Sequence, residues 1–302
     1  MRVRFLHSII VAMRAFVLSG GGNRGPIQIG VLKVLLQHGI QPDLVVGTSA
    51  GALNGAFLAV EPTLSQMERN AQLWRDAGVR KLIESSTTQM LARLVRGKDF
   101  FTDSKKLRAY IREVLPAGIR TFGDLKLPLF VTISHLITNA LYVYGDDPTA
   151  SVIDAVMLSS AVPGVFPPLI INNELFTDGG AASNMPALLA IDRGATEIWA
   201  LDLAFKPDLK RKVRGGLNIA SYPGRPLLYQ SMLRELECAV KVPGVTVHHL
   251  PLYSHDGVRL GDFSKTDEMV AEGERVARAY LDQPKPNQVQ YPPLLRDRKS
   301  VV

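Results

Sequence analysis

Near the start of this chain an apolar run leads into a glycine cluster and then into a helix-like stretch, and the same arrangement follows a second time. This repetition constrains the fold more than any other feature. Ala15-Phe16-Val17-Leu18-Ser19 runs into Gly20-Gly21-Gly22-Asn23-Arg24-Gly25. Pro26 then suits the first turn of a helix that carries Ile27, Ile29, Val31, Leu32, Val34, Leu35 and Leu36 and stops near Gly39. Leu44-Val45-Val46 leads into Gly47-Thr48-Ser49-Ala50-Gly51, and Ala50 to Ala59 reads as the following helix. Two buried strands joined by a crossover helix form a βαβ unit, so the expected fold class is α/β.

Both glycine clusters carry chemistry. Gly47 to Gly51 fits G-x-S-x-G, the nucleophile elbow, where small flanking residues allow a sharp strand-to-helix turn that holds the Ser49 hydroxyl clear of the backbone. The backbone N–H groups of Gly20 to Gly25 are unhindered by side chains and precede a helix, so they suit the oxyanion formed when a serine attacks an acyl carbonyl. Together the two point to acyl transfer. Gly20, Gly22 and Gly25 also satisfy the dinucleotide fingerprint G-x-G-x-x-G. That fingerprint wants an acid at the end of the second strand, whereas this strand ends in Gly47-Thr48-Ser49 and its acid, Asp43, lies at the start.

A serine nucleophile needs a base. None of the six histidines is well placed. His7 lies in the N-terminal segment, His38 at a helix C-terminus, His135 in the strand-like Leu129 to Ser134, and His248 and His249 beside Val245-Thr246-Val247. His255 alone falls in a polar loop where an α/β-hydrolase would keep its base. Asp178 is better placed. Glu174-Leu175-Phe176-Thr177 reads as a strand ending at Asp178-Gly179-Gly180, so a carboxylate emerges at a strand terminus with glycines freeing the backbone around it. A turn aspartate before glycines is the competing reading.

These blocks resemble the patatin-like phospholipases, lipid acyl hydrolases with a Ser-Asp dyad. The resemblance is carried by Gly20 to Gly25 with Arg24, by Gly47 to Gly51, and by Ser159-Ser160-Ala161-Val162-Pro163-Gly164-Val165-Phe166-Pro167-Pro168. Asp178-Gly179-Gly180 and Asn184-Met185-Pro186 complete it, and it covers roughly residues 15 to 192. It implies a mostly parallel central sheet flanked by helices in three layers. It also implies Ser49 as nucleophile, Asp178 as base, backbone donors near Gly21 and Gly22, and no metal or organic cofactor. Arg24 would brace the loop or attract a phosphate. The implied activity is hydrolysis of acyl esters in phospholipids or related lipids. An acyltransferase or broad esterase on the same site, or a non-catalytic lipid-binding protein, are the alternatives.

The expected organisation is an N-terminal extension over 1–14, a catalytic core over 15–192, the rest of the same domain over 193–282, and an extended, weakly ordered proline-rich tail over 283–302. Ser65 to Leu115 reads as helical and amphipathic, with Met67, Leu73, Trp74, Leu82, Ile83, Met90, Leu91, Leu94 and Val95 among charges, as a lid, as the wall of an acyl-chain pocket, or as a layer over the sheet. The hairpin Leu129 to Tyr144 turns near Asn139-Ala140, Glu197 to Leu203 is a strand, and helices span Val152–Ala161, Ala187–Asp192, Leu227–Val240 and Thr266–Leu281. The lone Cys238 excludes an internal disulfide, suits a reducing compartment such as the cytoplasm, and reads as a buried or idle thiol. No apolar stretch reaches the roughly 20 residues of a membrane helix. The net charge of +7 gathers partly in Lys206, Lys210, Arg211, Lys212 and Arg214, a loop that either meets an anionic lipid surface peripherally or is simply solvated. No nucleic-acid recognition motif accompanies these basic residues. Oligomeric state is left open.

Overall fold

The apolar runs that read as strands alternate between two destinations. Phe16, Leu18 and Val45 belong to one hydrophobic core, while Ala15, Val17, Leu44 and Val46 belong to another. A strand buried on both faces reads as a continuous apolar run, and it must lie inside a sheet covered on both sides. The computed structural model describes residues 12–76, 104–163, 166–203, 224–255, 258 and 262–292. Within them one sheet holds eight strands: β1 (Arg14–Leu18), β2 (Leu44–Gly47), β3 (Leu129–His135), β4 (Leu141–Tyr144), β5 (Leu169–Ile171), β6 (Glu174–Asp178), β7 (Glu197–Asp202) and β8 (Thr246–Pro251). The described helices are α1 (Gly25–Gln37), α2 (Ala50–Val60), α3 (Leu64–Arg75), α4 (Ser104–Val114), α5 (Val152–Ser159), α6 (Ala187–Asp192), α7 (Gly224–Ala239) and α8 (Thr266–Asp282).

The first core gathers apolar residues of α1, α2, α3, α4, α5 and α8, and the second those of α6 and α7, so the chain forms the expected helix–sheet–helix layers. Each large apolar side chain buried here contributes about 1.5–3 kcal/mol by leaving water. Parallel pairing links β3, β2, β1, β7 and β8, and antiparallel pairing adds β4, β5 and β6. Gly30 and Gly273 let α1 and α8 cross in backbone contact, because a Cβ on Gly30 would lie 2.8 Å from Glu274 N.

Pairing along β3 determines where the site forms. Val131 lies between Gly47 and Tyr144, and Ile133 between Asp178 and Tyr142. β2 and β6 therefore occupy the same edge of β3 and point at each other end to end. Thr132 faces the gap between them. The residues following Gly47 and the residue ending β6 are thus brought together by register alone.

Several expectations change. Leu169–Ile171 forms β5, joined to β6 through Asn172 and Asn173, both at positive φ (50° and 65°) as a tight two-residue hairpin requires. Cys238 is exposed on α7, not buried. The first described residues of the tail are docked, not loose: Asn287 N–H donates to Val247 O and Val247 N–H to Asn287 Oδ1, both at 2.8 Å, along the free edge of β8. An edge strand presents unpaired backbone groups, and this segment satisfies some of them. Met13 and Arg14, placed in the N-terminal extension, join the sheet through Thr196 N–H to Met13 O (2.9 Å) and the Arg14–Glu197 ion pair. Residues 1–11, 77–103 and 293–302 and the basic loop over 206–214 lie outside the described residues.

Candidate active site

β2 ends at Gly47 and α2 begins at Ala50, so the chain reverses within Thr48 and Ser49. Ser49 takes φ 54° and ψ −119°, a conformation that costs a non-glycine residue on the order of 1–3 kcal/mol and persists only where neighbours enforce it. The enforcing contacts are specific. Thr48 N–H donates to Leu18 O (3.0 Å), and Ser49 N–H donates to Ser159 Oγ at the end of α5 (2.8 Å). Thr48 Oγ1 lies 2.6 Å from Thr132 Oγ1 and donates to Ser183 O (3.1 Å). The flanking glycines are needed for space, since a Cβ on Gly47 would sit 2.8 Å from Ala52 N and one on Gly51 2.5 Å from the Leu18 carbonyl carbon.

Asp178 ends β6, where its Oδ1 accepts the N–H of Gly180 (2.7 Å). Its Oδ2 is buried with no hydrogen-bond partner. Burial pushes the carboxyl up to about 6, against the lowering influence of the nearby Ser49 hydroxyl and of Gly180 N–H. That hydroxyl is close enough to act on the carboxylate, yet it makes no hydrogen bond of ordinary geometry with it. Gly179 packs on Thr132, where a Cβ would lie 2.6 Å from the carbonyl carbon, and Gly180 faces Asn184.

The first glycine cluster lies over the elbow. A Cβ on Gly20 would be 3.1 Å from Ser49 Cβ, and one on Gly21 would be 2.5 Å from Leu203 Cβ. Asn184 holds Gly20 twice, with O accepting Gly20 N–H (3.3 Å) and Nδ2 donating to Gly20 O (3.2 Å). Gly22 at φ 60° opens a short helical turn over Gly22–Arg24, so its N–H and that of Gly21 precede any helical acceptor. Asn23 is buried, and its Nδ2 donates to Asp262 O (3.1 Å). Arg24 is also buried. Its guanidinium donates to the carbonyls of Leu203 and Ser254.

A buried amide network ties α1, α2 and α3 together. Asn54 Nδ2 donates to Gly25 O (3.0 Å) and Gln28 Oε1 (3.0 Å), while Asn54 Oδ1 accepts from Asn70 Nδ2 and Trp74 Nε1 (both 3.1 Å). Gln28 Nε2 continues to Ser19 O (2.9 Å) and Leu201 O (3.1 Å). The described histidines take their polar contacts elsewhere: His38 with Val34 O, His135 with Thr138, His248 with Tyr280, His249 with Asp202 and Gln290, and His255 with Ser254 and Glu268. Among the described residues no group of three His, Cys, Asp or Glu could hold a metal ion. No described helix is long and apolar enough to cross a membrane.

Sequence reasoning gave no role to Ser159, Thr132, Ser134, Asn54 or Glu235. Thr132 and Ser134 carried a signal, as polar residues at alternate positions of an otherwise apolar strand. Both are buried at the site, with Ser134 Oγ donating to Gly179 O (3.2 Å). Glu235 anchors Ser183 Oγ at 2.7 Å and lies more than fifty positions from it, so no local pattern marks it.

A family model described as patatin-like phospholipase matches residues 16–191, a span holding both glycine clusters, Ser49 and Asp178. The chain belongs to the patatin-like phospholipase family. It is 28% identical over 294 residues to mouse patatin-like phospholipase domain-containing protein 7, covering 89% of this chain and 20% of that protein. It is 27% identical over 295 residues to lysophospholipase NTE1 of Mycosarcoma maydis, covering 88% of this chain and 14% of that protein. The chain thus spans a fifth or less of the length of these relatives. Among solved structures, VipD from Legionella pneumophila has a similar fold, with a TM-score of 0.50 at 15% identity over 90% of this chain and 67% of that one.

Proposed function

We propose that the chain is a lipid acyl hydrolase in which Ser49 is the nucleophile and Asp178 the base. The observation that carries the reading is the buried Asp178 carboxyl, near enough for the Ser49 hydroxyl to act on it, with Oδ1 fixed by Gly180 and Oδ2 left without a hydrogen-bond partner. A carboxylate raised to about 6 is ionised at neutral pH and still basic enough to accept a hydroxyl proton as bonding begins.

The Ser49 Oγ proton passes to Asp178 Oδ2 as Oγ bonds to the ester carbon. The carbonyl oxygen becomes an oxyanion, stabilised by the N–H groups of Gly21 and Gly22 and by the N-terminus of α2. Collapse breaks the bond to the alkoxide, which takes the proton from Asp178 and leaves as the alcohol. Water then gives a proton to Asp178 while its oxygen attacks the acyl carbon. Ser49 Oγ departs with that proton, and the fatty acid is released. The chain's own residues supply every proton transfer.

The substrate class is an acyl ester of a phospholipid, lysophospholipid or related lipid, supported by family membership and by the name of the fungal relative. The test incubates the protein and Ser49→Ala with phospholipids, lysophospholipids, triacylglycerols and short esters and measures free fatty acid. Release by the wild type alone supports the reading. Binding of these lipids without release favours the non-catalytic alternative, and acyl transfer to an added alcohol in preference to water favours the transferase.

A further inference from the structure

Behind the glycine loop sits a buried ionisable pair that the reaction above does not use. Asp202 ends β7 and His249 lies on β8, both fully buried, with His249 Nε2 3.0 Å from Asp202 Oδ2. Gln290 N–H donates to His249 Nδ1 (2.9 Å), so Nδ1 holds a lone pair and the imidazole proton sits on Nε2, from which it donates to Asp202. Burial pushes the Asp202 carboxyl up, while the hydrogen bond from His249 and the charge of Arg24 hold it down.

The pair reaches the glycine loop by two short routes. The Arg24 guanidinium, which feels the Asp202 charge, donates to the Leu203 carbonyl. Leu203 follows Asp202 directly, its N–H donates to Ser19 Oγ (2.8 Å), and its side chain lies against Gly21. On the other side, Gln290 is held by Tyr253, whose hydroxyl donates to Gln290 O (3.2 Å), and Asn287 pairs with Val247. A continuous set of contacts thus runs from Asn287 and Gln290 through His249, Asp202 and Leu203 to Gly21.

We infer that His249 is a positioning residue for the backbone donors of the glycine loop, with its tautomer set by the 287–291 segment. The inference rests on the proposed role of Gly21 and Gly22. A neutral His249 donating to Asp202 holds in place the carboxylate whose charge acts on Arg24, and Arg24 in turn holds Leu203, on which Gly21 packs. Donors that must meet an oxyanion at hydrogen-bond distance lose most of their effect when displaced by about an ångström.

Two substitutions separate the two ends of the imidazole. His249→Asn places an oxygen where Nδ1 accepts from Gln290 but leaves no donor for Asp202. His249→Gln reaches Asp202 with its amide N–H and leaves Gln290 without an acceptor. We expect His249→Asn to lower kcat on a short soluble ester by about tenfold or more at unchanged KM, and to shift the Gly21 and Gly22 amide resonances. His249→Gln should stay within about threefold of wild type in kcat. Equal losses in the two variants, or no loss and no amide shift in His249→Asn, overturn the inference. If either variant fails to fold, Gln290→Pro removes the N–H donor without touching the pair. It should change the imidazole nitrogen resonances of His249 and lower kcat, and no change in either overturns the inference as well. If the wild type shows no Ser49-dependent hydrolysis, the proposed function falls, while the amide and imidazole resonances still decide the coupling.

Discussion

Asp178→Asn should make the protein more stable while removing its activity. The carboxyl ends a strand at a buried site where Oδ1 is bonded and Oδ2 is not, and its pKa rises from 3.8 to about 6. A carboxyl whose folded pKa lies above its unfolded one favours the folded state below the unfolded value and loses that contribution as pH rises through the folded value. The interval from 3.8 to about 6 corresponds to about 3 kcal/mol at 1.36 kcal/mol per decade, so ionised Asp178 weighs against folding by that order at neutral pH and above. Asparagine has the same shape, keeps an acceptor for Gly180 and carries no charge. Urea unfolding of both proteins should show the variant more stable by about 3 kcal/mol near pH 8, with the difference shrinking toward pH 4. Turnover should fall on the order of 10^4-fold. Equal stability of the two folded proteins at high pH would refute the placement of Asp178 in a desolvated site.

The same carboxyl sets the pH profile: kcat/KM on a short ester should fall tenfold per unit below about 6 and level off above, and a flat profile from acid to neutral pH would remove Asp178 as the base. Gly21→Val forces a side chain into Leu203, so kcat should drop by about 10²-fold with KM little changed, as steady-state kinetics would reveal. Asn54→Leu leaves Gly25 O, Gln28 Oε1, Asn70 Nδ2 and Trp74 Nε1 without this partner, and at about 1–3 kcal/mol for each group stranded without another acceptor or donor, stability in urea should drop by more than 3 kcal/mol.

Much of the site was legible because its pieces are local. Gly47 and Gly51 announce the elbow, since the contacts that exclude a Cβ come from the next turn of α2 and from Leu18 of the adjacent strand. Asp178 could be placed at a strand end because Glu174–Asp178 precedes two glycines. What was hidden is non-local. That β2 and β6 share one edge of β3 depends on register, and no short pattern encodes that Ser159, far along the chain, accepts the Ser49 N–H. β5 escaped because three residues after two prolines, joined to β6 by Asn-Asn in place of Asn-Gly, lack both the length and the turn signature of a strand pair. The tail looked unstructured from its prolines, yet the free edge of β8 and an acceptor on His249 hold its first residues.

The central claim is that Ser49 carries the acyl group in a covalent intermediate. It is tested most directly by quenching the enzyme during turnover of an activated ester and locating the added mass by peptide mass spectrometry. The account predicts one acyl adduct on the peptide containing Ser49, gone in a folded Ser49→Ala variant that also releases no fatty acid. An adduct on another residue, or hydrolysis that persists in Ser49→Ala, would contradict it.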